Sequence, residues 1–98
     1  MIYRHIIRPE AETDLFESSL WYDEQRTGLG DEFIGCIEAK IAEIIRNPVA
    51  FPVIDLDVRR ALIRRFPFGI FFTVRADTIY VVAILHLTRH EDTWKTRG

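Results

Sequence analysis

The stretch Arg59–Arg89, RRALIRRFPFGIFFTVRADTIYVVAILHLTR, decides the fold. β-branched and aromatic residues dominate it, and turn signals interrupt it at Phe66-Pro67-Phe68-Gly69 and Ala76-Asp77-Thr78. It therefore reads as three consecutive strands, joined by connections short enough to require antiparallel pairing. In the last of them Ile79, Val81, Ala83 and Leu85 alternate with Tyr80, Val82, Ile84 and His86, so both faces are apolar and the strand is central. Strict alternation places His86 on the face of Tyr80, Val82 and Ile84. The same rule puts Arg60 and Arg64 on one face of the first strand and Arg59 and Arg65 on the other. Everything upstream has to cover or flank this sheet.

Ile2 to Ile7 is a short β-capable run that ends at Arg8-Pro9, because proline has no N–H for a ladder and restricts the residue before it. Pro9 suits a first helical turn, and Glu10, Glu12 and Asp14 place negative charge where the helix dipole favours it. Ala11, Leu15, Ser18 and Tyr22, with Trp21 beside them, give that helix a buried stripe to about Arg26. After the hinge Gly28-Leu29-Gly30, a second helix from Asp31 carries Phe33, Ile34, Ile37, Ile41, Ile44 and Ile45 at helical spacing, and it stops at Asn47-Pro48. A connection this short makes the two an antiparallel hairpin whose apolar face needs the sheet. Pro48 to Val58 holds two prolines and no clean period, which predicts an irregular crossover packed by Phe51 and Ile54. The tail from His90 to Gly98 is polar apart from Trp94, and is mobile unless the sheet or a partner holds that ring. The expectation is one α+β domain over residues 1–98.

A net charge of -2 conceals a split. Residues 1–58 carry five Lys/Arg against twelve Asp/Glu, whereas residues 59–98 carry eight against three. The basic half points to a partner read by charge, a polyanion or an acidic protein segment, or else solvates the open side of the sheet. Cys36 is the sole cysteine, which excludes an intrachain disulfide and a cysteine-built zinc site and suits a small apolar packing residue. The N-terminus lacks a signal-peptide apolar run and the longest apolar run is Ile79 to Leu85, so a soluble cytoplasmic protein is expected.

The order β-α-α-β-β-β resembles the RelE/ParE toxin superfamily when read with Asp14-Leu15, Trp21-Tyr22, Gly28-Leu29-Gly30, Phe33, Asn47-Pro48 and Phe51-Pro52. Arg59-Arg60, Arg65-Phe66-Pro67-Phe68-Gly69-Ile70, His86, Arg89, Trp94 and Arg97 are similar to its plasmid-stabilisation branch. The resemblance implies the toxin of a type II toxin–antitoxin pair, a growth inhibitor with a cognate antitoxin as partner and no cofactor or metal. It further implies one of two activities, inhibition of DNA gyrase as in ParE-like members or cleavage of ribosome-bound mRNA as in RelE-like members.

Cleavage through a 2′-hydroxyl needs a base, a cation for the phosphorane charge and an acid for the leaving oxygen. His86 with Arg64 and Arg89 is the candidate set for that chemistry. His86 can equally be a strand-end histidine bonded to nearby backbone. Arg59, Arg60, Arg64, Arg65, Arg89, Trp94 and Arg97 are the candidate partner-binding residues, because bidentate Arg–carboxylate pairs suit an acidic peptide that folds on binding. Trp21 and Tyr22 read as packing residues of the helix hairpin. The arginine-bearing strand has no lysine, and the tail carries Trp94 where RelE-like nucleases typically bring a tyrosine. These features favour the gyrase mode over the nuclease, with an inactive antitoxin-binding scaffold as a third reading.

Overall fold

The structure, a computed structural model, describes residues 2–88 and 91–97. Strand β1 (Arg4–Ile7) leads into helix α1 (Pro9–Gln25) and helix α2 (Leu29–Arg46). A 3-10 turn at Pro48–Ala50 then precedes β2 (Val53–Asp55), β3 (Val58–Leu62), β4 (Phe68–Arg75) and β5 (Thr78–His86), and a 3-10 helix, Glu91–Thr96, follows. One sheet has the order β1-β5-β4-β3-β2, with β1 parallel to β5 and every other pair antiparallel. This is the expected α+β fold with one strand more than the sequence suggested: the crossover is not wholly irregular, because Val53 and Asp55 pair with β3 across a register shift. Three residues with a proline before them leave little periodicity to detect.

Both glycines of the hinge are needed, for different reasons. Gly28 sits at φ 90°, a left-handed conformation that side chains resist. Gly30 lies inside α2 where α1 comes closest, and a Cβ there would stand 2.4 Å from the Ser19 carbonyl oxygen and 2.8 Å from Asp23 Oδ1. Its N–H donates to that Asp23 carboxylate at 2.7 Å, so the contact is also a hydrogen bond between the helices. The antiparallel hairpin is thus clamped at its closed end.

α2 turns Phe33, Ile37, Ile41 and Ile44 inward onto Ile70, Phe72, Ile79, Val81 and Ile84 of the sheet. Tyr22, Phe33, Phe66 and Phe68 form one aromatic cluster with ring centroids 4.7–6.1 Å apart. Burial of each such ring contributes about 2–3 kcal/mol, and edge-on contacts add to it. The opposite face of the sheet holds a smaller cluster of Val58, Phe71, Val82, Ala83, Leu85 and Trp94. Trp94 is only 5% exposed and stacks on Phe71 at 5.9 Å, so this part of the tail is held by the sheet.

Two alternation arguments fail at identifiable places. In β5, Phe72 pairs with Val81 but Phe71 pairs with Ala83, so Val82 is an extra residue, a β-bulge. The bulge reverses the parity beyond it. Ile79 and Val81 share the helix side with Ile84, and His86 follows Ile84 instead of Tyr80 and Val82. In β3 the ladder ends at Leu62, the Ile63 N–H donates to the Phe68 carbonyl at 2.9 Å, and residues 64–67 form a loop. Arg64 and Arg65 therefore occupy no strand face.

Gly30→Ala should destabilise the fold by about 2 kcal/mol, the usual scale for overpacking at a fixed backbone. Gly35→Ala, where an added Cβ meets nothing within 4 Å, should be neutral or stabilising. Urea unfolding midpoints of the two variants check this contrast.

Candidate functional site

β1 stops at Ile7, opposite Val81, because Pro9 begins α1 two residues later. The C-terminal half of β5 consequently has no strand on that side. Between this bare edge, α1 and the tail lies a cleft of about 380 Å³. Asp14, Glu17 and Trp21 line it from α1, His86 from β5, and Thr93 and Arg97 from the tail.

The bulge supplies the cleft with its central junction. Asp14 Oδ2 accepts the Ile84 N–H at 3.0 Å, on the edge that β1 does not reach. The same carboxylate takes both ends of the Arg97 guanidinium, Nη1 at 2.6 Å and Nη2 at 3.1 Å, and Nη1 also reaches the Val82 carbonyl at 3.3 Å. Both side chains are mostly buried, at 18% and 12% exposure, so this bidentate pair is screened less than a surface ion pair. The Asp14 hydrogen bond raises Arg97 further above an already high guanidinium value. One acid of α1 thereby joins a helix, a bulged strand and the tail.

His86 stands at the end of β5, edge-on to Phe68 with centroids 5.4 Å apart. The Thr88 N–H donates to His86 Nδ1 at 3.2 Å, and the Thr88 hydroxyl lies 3.1 Å from the same nitrogen. In the neutral ring this arrangement puts the proton on Nε2.

The candidate arginines are dispersed. Arg59 donates to the Phe51 carbonyl at 2.6 Å and the Val49 carbonyl at 3.3 Å, tying the 3-10 turn to β3. Arg65 pairs with Glu32, which also meets Arg26 at 3.2 Å. Arg97 is held by Asp14, and Trp94 is buried on the sheet. Arg60 is half-buried on β3, and Arg64 is exposed in the loop and does not line the cleft with His86. Arg89 lies outside the described residues. Among the described residues, only Arg97 and His86 of the expected set meet at the cleft. Asp14, the residue that organises it, entered the sequence reading through the helix dipole and the Asp14-Leu15 resemblance and not as a site residue, because its role depends on a bulge that alternation does not reveal. Trp21, expected to pack, is 45% exposed at the cleft's rim, although its ring meets Tyr22 edge-on at 5.1 Å.

Among the described residues no group of histidine, cysteine or acidic side chains could hold a metal ion, and no helix is long and apolar enough to cross a membrane. A helical hairpin on a mostly antiparallel sheet is the fold expected from the resemblance to the RelE/ParE toxins. A family model described as the ParE toxin of the type II toxin–antitoxin system parDE matches residues 6–90, and the chain belongs to that family. The fold is similar to a chain from a solved structure of the chromosomal ParDE toxin–antitoxin system of P. aeruginosa, with a TM-score of 0.79. The two are 17% identical over 87% of this chain and 96% of that one. No curated protein matches by sequence.

The Arg65–Glu32 pair makes a pH-dependent contribution that can be measured. The Arg65 hydrogen bond, with the charges of Arg65 and Arg26, holds the Glu32 carboxyl below the usual carboxylate range against the opposing effect of desolvation. A depressed folded value stabilises at pH above the unfolded one and ceases to as pH falls through the folded value. Glu32→Gln should therefore be less stable than the parent above the ordinary carboxylate range, with the difference closing as pH falls below it. Thermal midpoints across that window check the sign.

Proposed function

We propose that this toxin acts in the cytoplasm by binding DNA gyrase and blocking its cycle, in the manner of ParE-like proteins, and that a cognate antitoxin neutralises it. The observation that carries this reading is the charge of the cleft. His86, the residue suited to proton transfer at neutral pH, faces Asp14 and Glu17, and the cleft's one arginine among the described residues is already paired with Asp14. RNA binding needs cations directed at phosphates, and phosphoryl transfer needs one at the developing phosphorane charge. Here Asp14 already occupies that arginine, Glu17 adds negative charge, and Arg64, the cation expected to meet the phosphate, stands in a separate loop. Inhibition by protein binding needs neither. The antitoxin's expected docking surface is the basic end of the molecule, where Arg64 is exposed beside Arg65 and acidic partner residues can compete with Glu32.

Purified toxin should inhibit gyrase-catalysed supercoiling of a relaxed plasmid and leave ribosome-bound mRNA uncut, and His86→Ala should retain the inhibition. Cleavage of ribosome-bound mRNA that disappears in His86→Ala, with supercoiling unaffected, would establish the nuclease instead. Normal growth of cells making soluble toxin without antitoxin would leave only the inactive scaffold.

A further inference from the structure

Helix α1 carries large apolar residues on its outer face that its own fold leaves substantially exposed. Ala11, Leu15, Ser19 and Tyr22 face inward, as the helical spacing requires. Phe16, Leu20 and Trp21 face outward at 61%, 48% and 45% exposure. Phe16 and Leu20 are one turn apart on the same ridge, and Trp21 lies further round the same outer face at the rim of the cleft, with Glu17 and Glu24 between it and Leu20. Scattered surface apolar residues need no explanation, but three large ones on the outer face of one helix do.

Charge identifies what covers them. α1 contains Glu10, Glu12, Asp14, Glu17, Asp23 and Glu24 and no lysine or arginine. Glu12 lies one turn before Phe16, Glu17 one turn before Trp21, and Glu24 one turn after Leu20, so exposed carboxylates flank and interleave with these apolar side chains. Asp14 and Asp23 are committed to Arg97 and the Gly30 N–H, but these glutamates project into solvent. A second copy of the chain would set this acidic face against itself, and an anionic lipid surface would be repelled by it. The backbone of α1 is hydrogen-bonded within the helix and offers no ladder to an extended peptide, whereas its Phe16–Leu20 ridge can enter the groove of another helix.

We infer that the outer face of α1 docks a cationic amphipathic helix of a partner protein, with apolar side chains of that helix on Phe16, Leu20 and Trp21 and its lysines or arginines on Glu12, Glu17 and Glu24. This surface differs in sign and position from the basic loop end, so the toxin presents two faces for partners of opposite charge. The inference does not depend on gyrase being the target.

A dye-labelled model helix about four turns long, with leucines at i, i+3, i+4 and i+7 spacing and lysines elsewhere, serves as the probe. Anisotropy titration with the full-length toxin should give saturable binding that weakens with added salt. The double variant Phe16→Ser/Leu20→Ser should weaken it at least about tenfold, as expected for anchor residues. Glu17→Lys/Glu24→Lys should weaken it as well, and a peptide with glutamate in place of lysine should not bind. All four substitutions lie on the solvent side, and circular dichroism melting verifies that each variant is folded. Absence of saturable binding would overturn the proposal, as would equal affinity for Phe16→Ser/Leu20→Ser or equal binding of the glutamate peptide. A concentration-dependent dimer that Phe16→Ser dissolves would assign this face to a second copy and overturn it too.

Discussion

The carboxylate of Asp14 meets two demands that the fold could not otherwise satisfy. β1 is too short to cover the edge of β5, and beyond the Val82 bulge the Ile84 N–H accordingly finds its acceptor on a helix, in Asp14. An orphaned N–H at a partly buried site costs about 1–3 kcal/mol, so an acceptor reaching it is a strong constraint on where α1 can lie. A buried acid in turn needs a counterion, and Arg97 reaches it from the opposite end of the chain. The position of α1, the exit of β5 and the path of the tail are consequences of one another. The cleft is the space left where they meet, and His86 faces it because the bulge turned the strand over.

That dependence accounts for what could and could not be read from the amino acids. The helices were legible because Phe33, Ile37, Ile41 and Ile44 recur at helical spacing and Pro9 and Pro48 mark their limits. The strand run from Arg59 onward was legible because its composition and turns leave few alternatives. The bulge was not. Val81, Val82, Ala83 and Ile84 are all apolar, so an inserted residue leaves no break in the pattern, and the face of His86 came out with its parity reversed relative to Tyr80 and Val82. β2 was hidden by its brevity, and the exit of Arg64 and Arg65 from the strand was set by where pairing to β4 ends, a tertiary fact. For the site, residue types were informative and their grouping was not: Arg59, Arg65 and Arg97, expected to bind a partner, stabilise three separate junctions, at Phe51, Glu32 and Asp14.

The distribution of charge has the same origin. Once Arg59, Arg65 and Arg97 have internal acceptors, the excess positive charge of the C-terminal half is presented by fewer side chains than its sequence suggests. The acids of α1 stay largely on the surface. A family of small toxins must meet a target and an antitoxin on a chain with room for one modest core, and opposite poles of charge allow two such encounters without overlap.

Amide hydrogen exchange at Ile84 examines that tie most directly. In the native toxin this amide should exchange slowly, although no strand covers its edge, and Asp14→Ala should release it while the amides of β4 and β5 that pair with one another remain protected. Fast exchange at Ile84 in the native protein, or protection that survives Asp14→Ala, would contradict the role given to Asp14.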